Sequence, residues 1–314
     1  MFEGRLTSPS VIKGLMARHG FRFDRRLGQN FLVDHNLLQK IATAAELGPR
    51  DLVLEVGPGF GTLTQALLPR AGRLVAIELD RRLCPVLRET LGDASNLKII
   101  FGDVLKLQLD EILDQEEKVL ASQEQGGDAV AVEKGGPPGS SLKSAPKRKA
   151  VANLPYYITT PVITRLLEPR LDLDRILIMV QWEVAQRLIA RPGTSEYGAL
   201  TVFVNFSTHP SLVTRVPRTA FFPQPEVDSA AILLKTLPPP AGVDASLFSR
   251  VVRAAFAQRR KTLARALAGG LGLDKPLLEE RLLRVGIDWK RRGETLSREE
   301  FVSLTGALED LLER

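Results

Sequence analysis

Asn153-Leu154-Pro155-Tyr156 places an amide, a free main-chain carbonyl, a stiff turn and an aromatic face side by side. That combination suits chemistry on an exocyclic adenine amine. Such an amine is a poor nucleophile because its lone pair is delocalised into the ring. The Asn153 side-chain oxygen and the Leu154 carbonyl can accept its two hydrogens, drawing the nitrogen toward tetrahedral geometry with the lone pair aimed at an electrophile. Pro155 stiffens the turn and Tyr156 offers a face for the base. No strong general base is required, because the nitrogen becomes acidic once alkylated. An ordinary Asn-x-Pro turn has the same composition; the chemical reading rests on its place at the end of the fourth expected strand.

Upstream, Val53-Leu54-Glu55-Val56-Gly57-Pro58-Gly59-Phe60-Gly61 reads as a buried strand entering a glycine-rich turn, followed by a helix from Thr62. Glycines there let a nucleotide-like ligand lie against the backbone. The Gly-x-Gly-x-Gly spacing is one residue short of the dinucleotide fingerprint, which disfavours a nicotinamide cofactor and an oxidoreductase. Glu78 ends the next strand some twenty residues on, where a carboxylate can accept both hydrogen bonds of a ribose diol. Asp103 ends the third strand and can accept from an adenine amine. Either acid alone is an ordinary loop residue. Gly57, Glu78 and Asp103 on successive strand ends converge on one crevice and suit an adenosine ligand without a phosphate clamp, such as S-adenosylmethionine. Phe221-Phe222-Pro223-Gln224-Pro225 forms a stiff aromatic loop, from which Phe222 or its neighbour Phe221 can press on the opposite face of a base; adjacent phenylalanines are otherwise core residues.

These positions need a scaffold. Asp34 is a good N-cap for a helix carrying Leu37, Leu38, Ile41 and Ala45 on one face. Apolar runs at Leu52–Val56, Arg73–Ile77, Leu97–Phe101, Ala150–Ala152 and Arg175–Val180 alternate with helical patterns, predicting parallel strands with crossover helices. Leu200–Phe206 and Val227–Leu234 read as a closing antiparallel pair. The expected fold is α/β: a seven-stranded Rossmann-like sheet with a small C-terminal helical domain. Residues 1–48 read as a basic arm, with Arg22, Arg25 and Arg26, and a helix; residues 49–237 form the main domain. Residues 114–149, crowded with Gly, Pro, Ser and charge, read as a flexible surface insertion. Its basic end, Lys143, Lys147, Arg148 and Lys149, reads as solvated linker charge. Pro238-Pro239-Pro240 marks a border, and residues 241–314 show helical spacing. Within that region Arg250, Arg253, Arg259, Arg260, Lys261 and Arg265 cluster without an acidic residue, a footprint suited to RNA phosphates.

The net charge of +6 agrees with a polyanionic partner. Cys84 is the single cysteine, so no intramolecular disulfide can form. His19, His35 and His209 lack metal-ligand spacing, and no metal site is expected. Neither a secretory leader nor a membrane span is evident. A cytoplasmic protein is expected.

With these motifs in view, the chain resembles the bacterial small-subunit ribosomal RNA adenine N6,N6-dimethyltransferases of the kasugamycin-resistance type. The resemblance runs through Leu27-Gly28-Gln29-Asn30-Phe31-Leu32, Glu55-Val56-Gly57-Pro58-Gly59, Asn153-Leu154-Pro155-Tyr156, Phe222-Pro223-Gln224-Pro225-Glu226-Val227-Asp228-Ser229 and Phe256-Ala257-Gln258-Arg259-Arg260-Lys261-Thr262-Leu263. It implies a methyltransferase sheet whose S-adenosylmethionine site adds Asn30 and Leu32 to Gly57, Glu78, Asp103 and Asn153. It also implies transfer of two methyl groups to each of two adjacent adenosines in the 3′-terminal hairpin of 16S ribosomal RNA, on a partly assembled small subunit; a monomer is expected. The segments Gln258–Leu263 and Arg292-Gly293-Glu294-Thr295-Leu296-Ser297 look more like this type than like the 23S RNA methyltransferases of macrolide resistance. The stretch before Asn153 is longer than usual for the family. Alternatives are a 23S RNA adenine methyltransferase, or an assembly factor that acts mainly by binding RNA.

Overall fold

The structure is a computed structural model that describes residues 4–126 and 146–312. Its main sheet comprises β1 (Leu52–Val56), β2 (Arg73–Glu78), β3 (Leu97–Phe101), β4 (Arg148–Asn153), β5 (Leu173–Gln181), β6 (Thr208–Val216) and β7 (Ser229–Thr236), in the order β3-β2-β1-β4-β5-β7-β6. β1 pairs in parallel with both β2 and β4, β2 with β3, and β4 with β5. The carboxyl ends of these five strands therefore share one edge, and the strand order reverses between β1 and β4. That reversal opens a crevice where open α/β sheets take their ligands. Every residue of β1 and β2 is buried, as expected of strands covered on both faces.

Two compact units make up the chain: Met1–Trp182 with Leu212–Leu234, and Glu183–Ser211 with Lys235–Arg314. In the first, Asp34 caps the helix His35–Ala44 by accepting from the Leu37 amide at 2.9 Å. Phe31–Leu32 forms a short antiparallel ribbon with Phe221–Phe222, with Phe31 opposite Phe222 and Leu32 opposite Phe221. Two motifs nearly two hundred residues apart are thereby neighbours.

The reading of a flexible insertion from residue 114 is corrected over the described residues. A helix runs through Leu109–Gly126. Leu109, Leu113 and Leu120 are buried on one face, and Glu116, only 4% exposed, lies on the same face. Its carboxylate accepts from Arg73 Nε at 2.8 Å, fastening the helix to the first residue of β2. Charge density suggested a solvated linker because the buried partner of Glu116 lies far away in sequence. Residues 127–145, with Lys143, lie outside the described residues. The rest of the basic end is engaged: Lys147 pairs with Asp174 at 2.5 Å, Arg148 with Asp114 at 2.7 Å and with Glu117, and buried Lys149 with Asp51 at 2.7 Å. β4 accordingly starts at Arg148, two residues earlier than the apolar run indicated.

The second unit begins before the proline run. Ala199–Ser207 is a helix, not the strand its β-branched, aromatic run suggests, and β6 starts only at Thr208. Packing overrides propensity here: Tyr197, Val202 and Phe206 join Phe248, Val251, Leu267, Leu282 and Phe301 in a helical core. The helices Ala245–Phe256, Leu263–Leu271, Lys275–Arg284 and Arg298–Leu312 enclose it. No described helix is long and apolar enough to cross a membrane.

Candidate active site

At the carboxyl edge of β1 and β4 lies a cleft, placed where open α/β sheets take their ligands. Asn30, Gly57, Glu78, Asp103, Asn153, Leu154, Pro155 and Tyr156 all line it. Eight residues picked from five separate stretches of sequence thus meet in one place. Gly57 leaves β1 with φ +75°, and its amide donates to the Ile77 carbonyl at 2.9 Å. Gly59 has φ +60°, and a Cβ there would stand 2.3 Å from the Phe31 ring, so only glycine fits.

Glu78 is 6% exposed, and its two carboxylate oxygens accept from the Asp80 amide at 2.8 Å and the Gly59 amide at 3.0 Å. Burial raises its pKa above the usual carboxylate value, and the backbone amides oppose that rise. Asp103 accepts from the Leu105 amide at 3.0 Å through Oδ1. Leu79, between Glu78 and Asp80, is 46% exposed at the cleft wall.

Asn153 stands at the end of β4. Its Nδ2 donates to the Asn30 carbonyl at 2.8 Å, which turns Oδ1 away from that carbonyl. The Leu154 amide donates to the Met179 carbonyl at 3.2 Å, tying the turn to β5. Tyr156 is partly buried, with its hydroxyl 2.8 Å from Ser229 Oγ on β7, and burial raises its pKa. The next residue, Tyr157, is 54% exposed at the same cleft.

The remaining residues of the expected site stand elsewhere. Leu32 is buried in the core beside Leu38 and Phe221 and does not line the cleft. Phe221 is 4% exposed and belongs to that core, whereas Phe222 is partly exposed. The Phe222 ring lies 5.5 Å from that of Phe23, with Lys13 Nζ 5.6 Å from its centroid. Neither phenylalanine lines the cleft. In the second unit, Arg253, Arg259, Arg260 and Lys261 are all exposed around the end of helix Ala245–Phe256. Arg259 is partly engaged, donating to the Ser195 carbonyl at 3.1 Å and lying 3.6 Å from Glu294, a carboxylate remote in sequence.

Sequence reasoning passed over Glu55, Gln29, Leu79 and Tyr157. Glu55 is fully buried, and its carboxyl oxygens have no hydrogen-bond partner among the described residues. Burial, reinforced by the nearby Glu78 charge, pushes its pKa up to about 8. A charged residue inside an otherwise apolar strand was the available signal. For Gln29, only its place beside Asn30 was.

The sequence model of the ribosomal RNA adenine dimethylase family matches residues 20–308. The chain is 46% identical over 306 residues to a ribosomal RNA small subunit methyltransferase A of Moorella thermoacetica, covering 97% of this chain and 99% of that one. Its counterpart from Pelotomaculum thermopropionicum is also 46% identical, over 97% of this chain and 98% of its own. Among solved structures, a dimethyladenosine transferase from Plasmodium falciparum superposes with a TM-score of 0.69 at 24% identity, covering 89% of this chain and 98% of that one. The 23S rRNA methyltransferase ErmE gives 0.61 at 25% identity, over 89% of this chain and 99% of its own. A cleft built at the strand reversal, the matched motifs and these relatives agree: the chain belongs to the ribosomal RNA adenine dimethylase family.

Proposed function

We propose that the protein dimethylates N6 of two adjacent adenosines in the 3′-terminal hairpin of 16S ribosomal RNA, acting as a cytoplasmic monomer on a partly assembled small subunit. The observation that carries this reading is the meeting of Glu78 and Asn153 across one cleft, with the Asn153 amide anchored on Asn30. The methyl donor is S-adenosylmethionine, which supplies an electrophilic methyl group on a positively charged sulfur.

The residues fit that donor. Gly57 leaves room at the strand end, Glu78 keeps unshared lone pairs for a ribose diol, Leu79 offers an apolar surface to a purine, and Asp103 can accept from its amine. Asn30 and Gly57 contribute backbone to the same wall. Leu32 acts from behind that wall, as packing beneath the Phe31 ribbon.

Asn153 Oδ1 and the Leu154 carbonyl accept the hydrogens of the target amine, and Pro155 holds the turn that aims them. Tyr156, fixed through Ser229, presents a face to the base. Phe222 faces the base from the other side once RNA is seated. Arg253, Arg259, Arg260 and Lys261 hold phosphates and set position without reading sequence.

Preference for the small subunit rests on the relatives at 46% identity that carry that name, against 25% for ErmE. The test is transfer of labelled methyl from S-adenosylmethionine to unmethylated small subunits and, in parallel, to large-subunit RNA, with mass spectrometry of the nucleosides. Dimethyladenosine in small-subunit RNA alone is the expected result. Label confined to 23S RNA would keep the chemistry and replace the substrate. Full support of subunit maturation by an inactive Asn153→Ala variant would make RNA binding the principal task.

A further inference from the structure

The segment Asp24–Asn30 runs along the rim of the cleft, and Leu27, Gly28, Gln29 and Asn30 all line it beside Glu78 and Asp103. It is tied at two places. On one side Gln29 Nε2 donates to Asp80 Oδ2 at 2.8 Å, while Gln29 Oε1 accepts from the Asp24 amide at 3.0 Å. On the other, Asn153 Nδ2 donates to the Asn30 carbonyl. The segment is therefore strung from the end of β2 to the end of β4, the two strand ends assigned to donor and acceptor.

Asp80 is the hub of the first tie. It accepts from Arg82 Nε at 2.8 Å and Nη2 at 2.7 Å, and its own amide donates to Glu78 Oε1 at 2.8 Å. Burial works to raise the Asp80 carboxyl, but the bonds from Arg82 and Gln29 bring it below its ordinary value, so it remains a charged acceptor. The Gln29 bond is charge-assisted and partly shielded from water. Both ends of the Gln29 carboxamide are used, one within the segment and one across to the strand.

We propose that Gln29 is a positioning residue that clasps the Asp24–Asn30 segment over the donor, and that opening of the Gln29–Asp80 bond admits fresh donor and releases the spent one. The inference rests on the reading that this cleft holds S-adenosylmethionine. Dimethylation gives the clasp a purpose: each methyl consumes one donor, so the cleft must be emptied and refilled between transfers.

The test uses the full chain with Gln29→Ala and Gln29→Glu, the latter setting a carboxylate against Asp80. Dissociation rates of S-adenosylmethionine and S-adenosylhomocysteine are measured by stopped flow, with kcat and both KM values on small subunits. The expected result is dissociation about tenfold faster for Gln29→Ala, a donor KM raised in proportion, an unchanged KM for the subunit and a kcat equal to or above wild type. Gln29→Glu is expected to show the larger effect. Donor rates equal to wild type in both variants would overturn the inference. So would kcat, both KM values and melting temperature deteriorating together, the mark of general loosening. If the wild-type protein itself bound no S-adenosylmethionine, the functional reading would fall first and the clasp with it.

Discussion

Asn153 Nδ2 and the Asn30 main-chain carbonyl are joined by a hydrogen bond of 2.8 Å, and this bond decides which way the carboxamide of Asn153 faces. With the nitrogen occupied by a carbonyl, the oxygen is the atom left for a substrate amine. Asn153→Ala removes that acceptor and is expected to lower the single-turnover rate on the order of 10²- to 10³-fold, the scale seen when one preorganised polar group is removed. Asn153→Asp cannot donate to Asn30 and is expected to be equally impaired. Near-normal turnover in Asn153→Asp would show that the anchor is dispensable.

Glu78 carries the donor prediction. Glu78→Gln keeps the shape but loses the charge and one of the two acceptors that the Gly59 and Asp80 amides use, and is expected to weaken S-adenosylmethionine binding by about tenfold or more in calorimetry, with kcat at saturating donor changed far less. Glu78→Ala also strands the Gly59 and Asp80 amides, and is expected to cost roughly 1–3 kcal/mol of stability as well.

Glu55 is expected to give the protein a pH-dependent stability. Its carboxyl ionises near 4.5 when exposed and near 8 when folded, so between these values the native state holds a proton that the unfolded chain has lost. The stabilisation is complete below about pH 4.5 and fades as pH rises to about 8. Glu55→Gln, neutral in both states, is expected to flatten this decline by roughly a few kcal/mol in denaturant titrations. Parallel pH profiles for the two proteins would show that Glu55 is not the group responsible.

The two phenylalanines should separate cleanly. Phe221→Ala opens a cavity in the core and is expected to lose roughly 3–5 kcal/mol of stability. Phe222→Ala is expected to leave most of the stability and to reduce turnover on RNA. Equal stability losses with equal turnover would remove Phe222 from the proposed site.

Paired Arg259→Ala and Arg260→Ala substitutions are expected to weaken binding to small subunits and to make the slope of log affinity against log salt shallower by about one to two units. Because Arg259 already touches Glu294 and Ser195, Arg260 is expected to account for the larger share. An unchanged slope would move the phosphate-binding surface elsewhere.

What the sequence revealed about this protein was mostly local. Gly57, Glu78, Asp103 and Asn153 end continuous apolar runs, so alternation of strands and helices suffices to bring them to one edge. Ala199–Ser207 misled because β-branched residues favour strands until a neighbouring core takes them, and the Val202 and Phe206 spacing became meaningful only beside Phe248. The Glu116–Arg73, Lys149–Asp51 and Gln29–Asp80 pairs were illegible because their partners lie 43, 98 and 51 residues apart. Charge in a sequence looks solvated until its counter-charge is located. Leu32 was named for the donor through resemblance, and its side chain is buried in the core beside Leu38 and Phe221.

The buried attachment of Glu116 to Arg73 has an engineering consequence. Helix Leu109–Gly126 is pinned at the start of β2, and the chain rejoins the sheet through Lys147, Arg148 and Lys149 at the start of β4, each held by a carboxylate. Both anchorages sit at the amino ends of parallel strands, the edge opposite to the one that carries Glu78 and Asn153. A fluorescent reporter, an affinity handle or a cross-linker attached beside Lys147 would be separated from the chemistry by the length of the strands, making this amino edge the natural port for labelling the enzyme while it works.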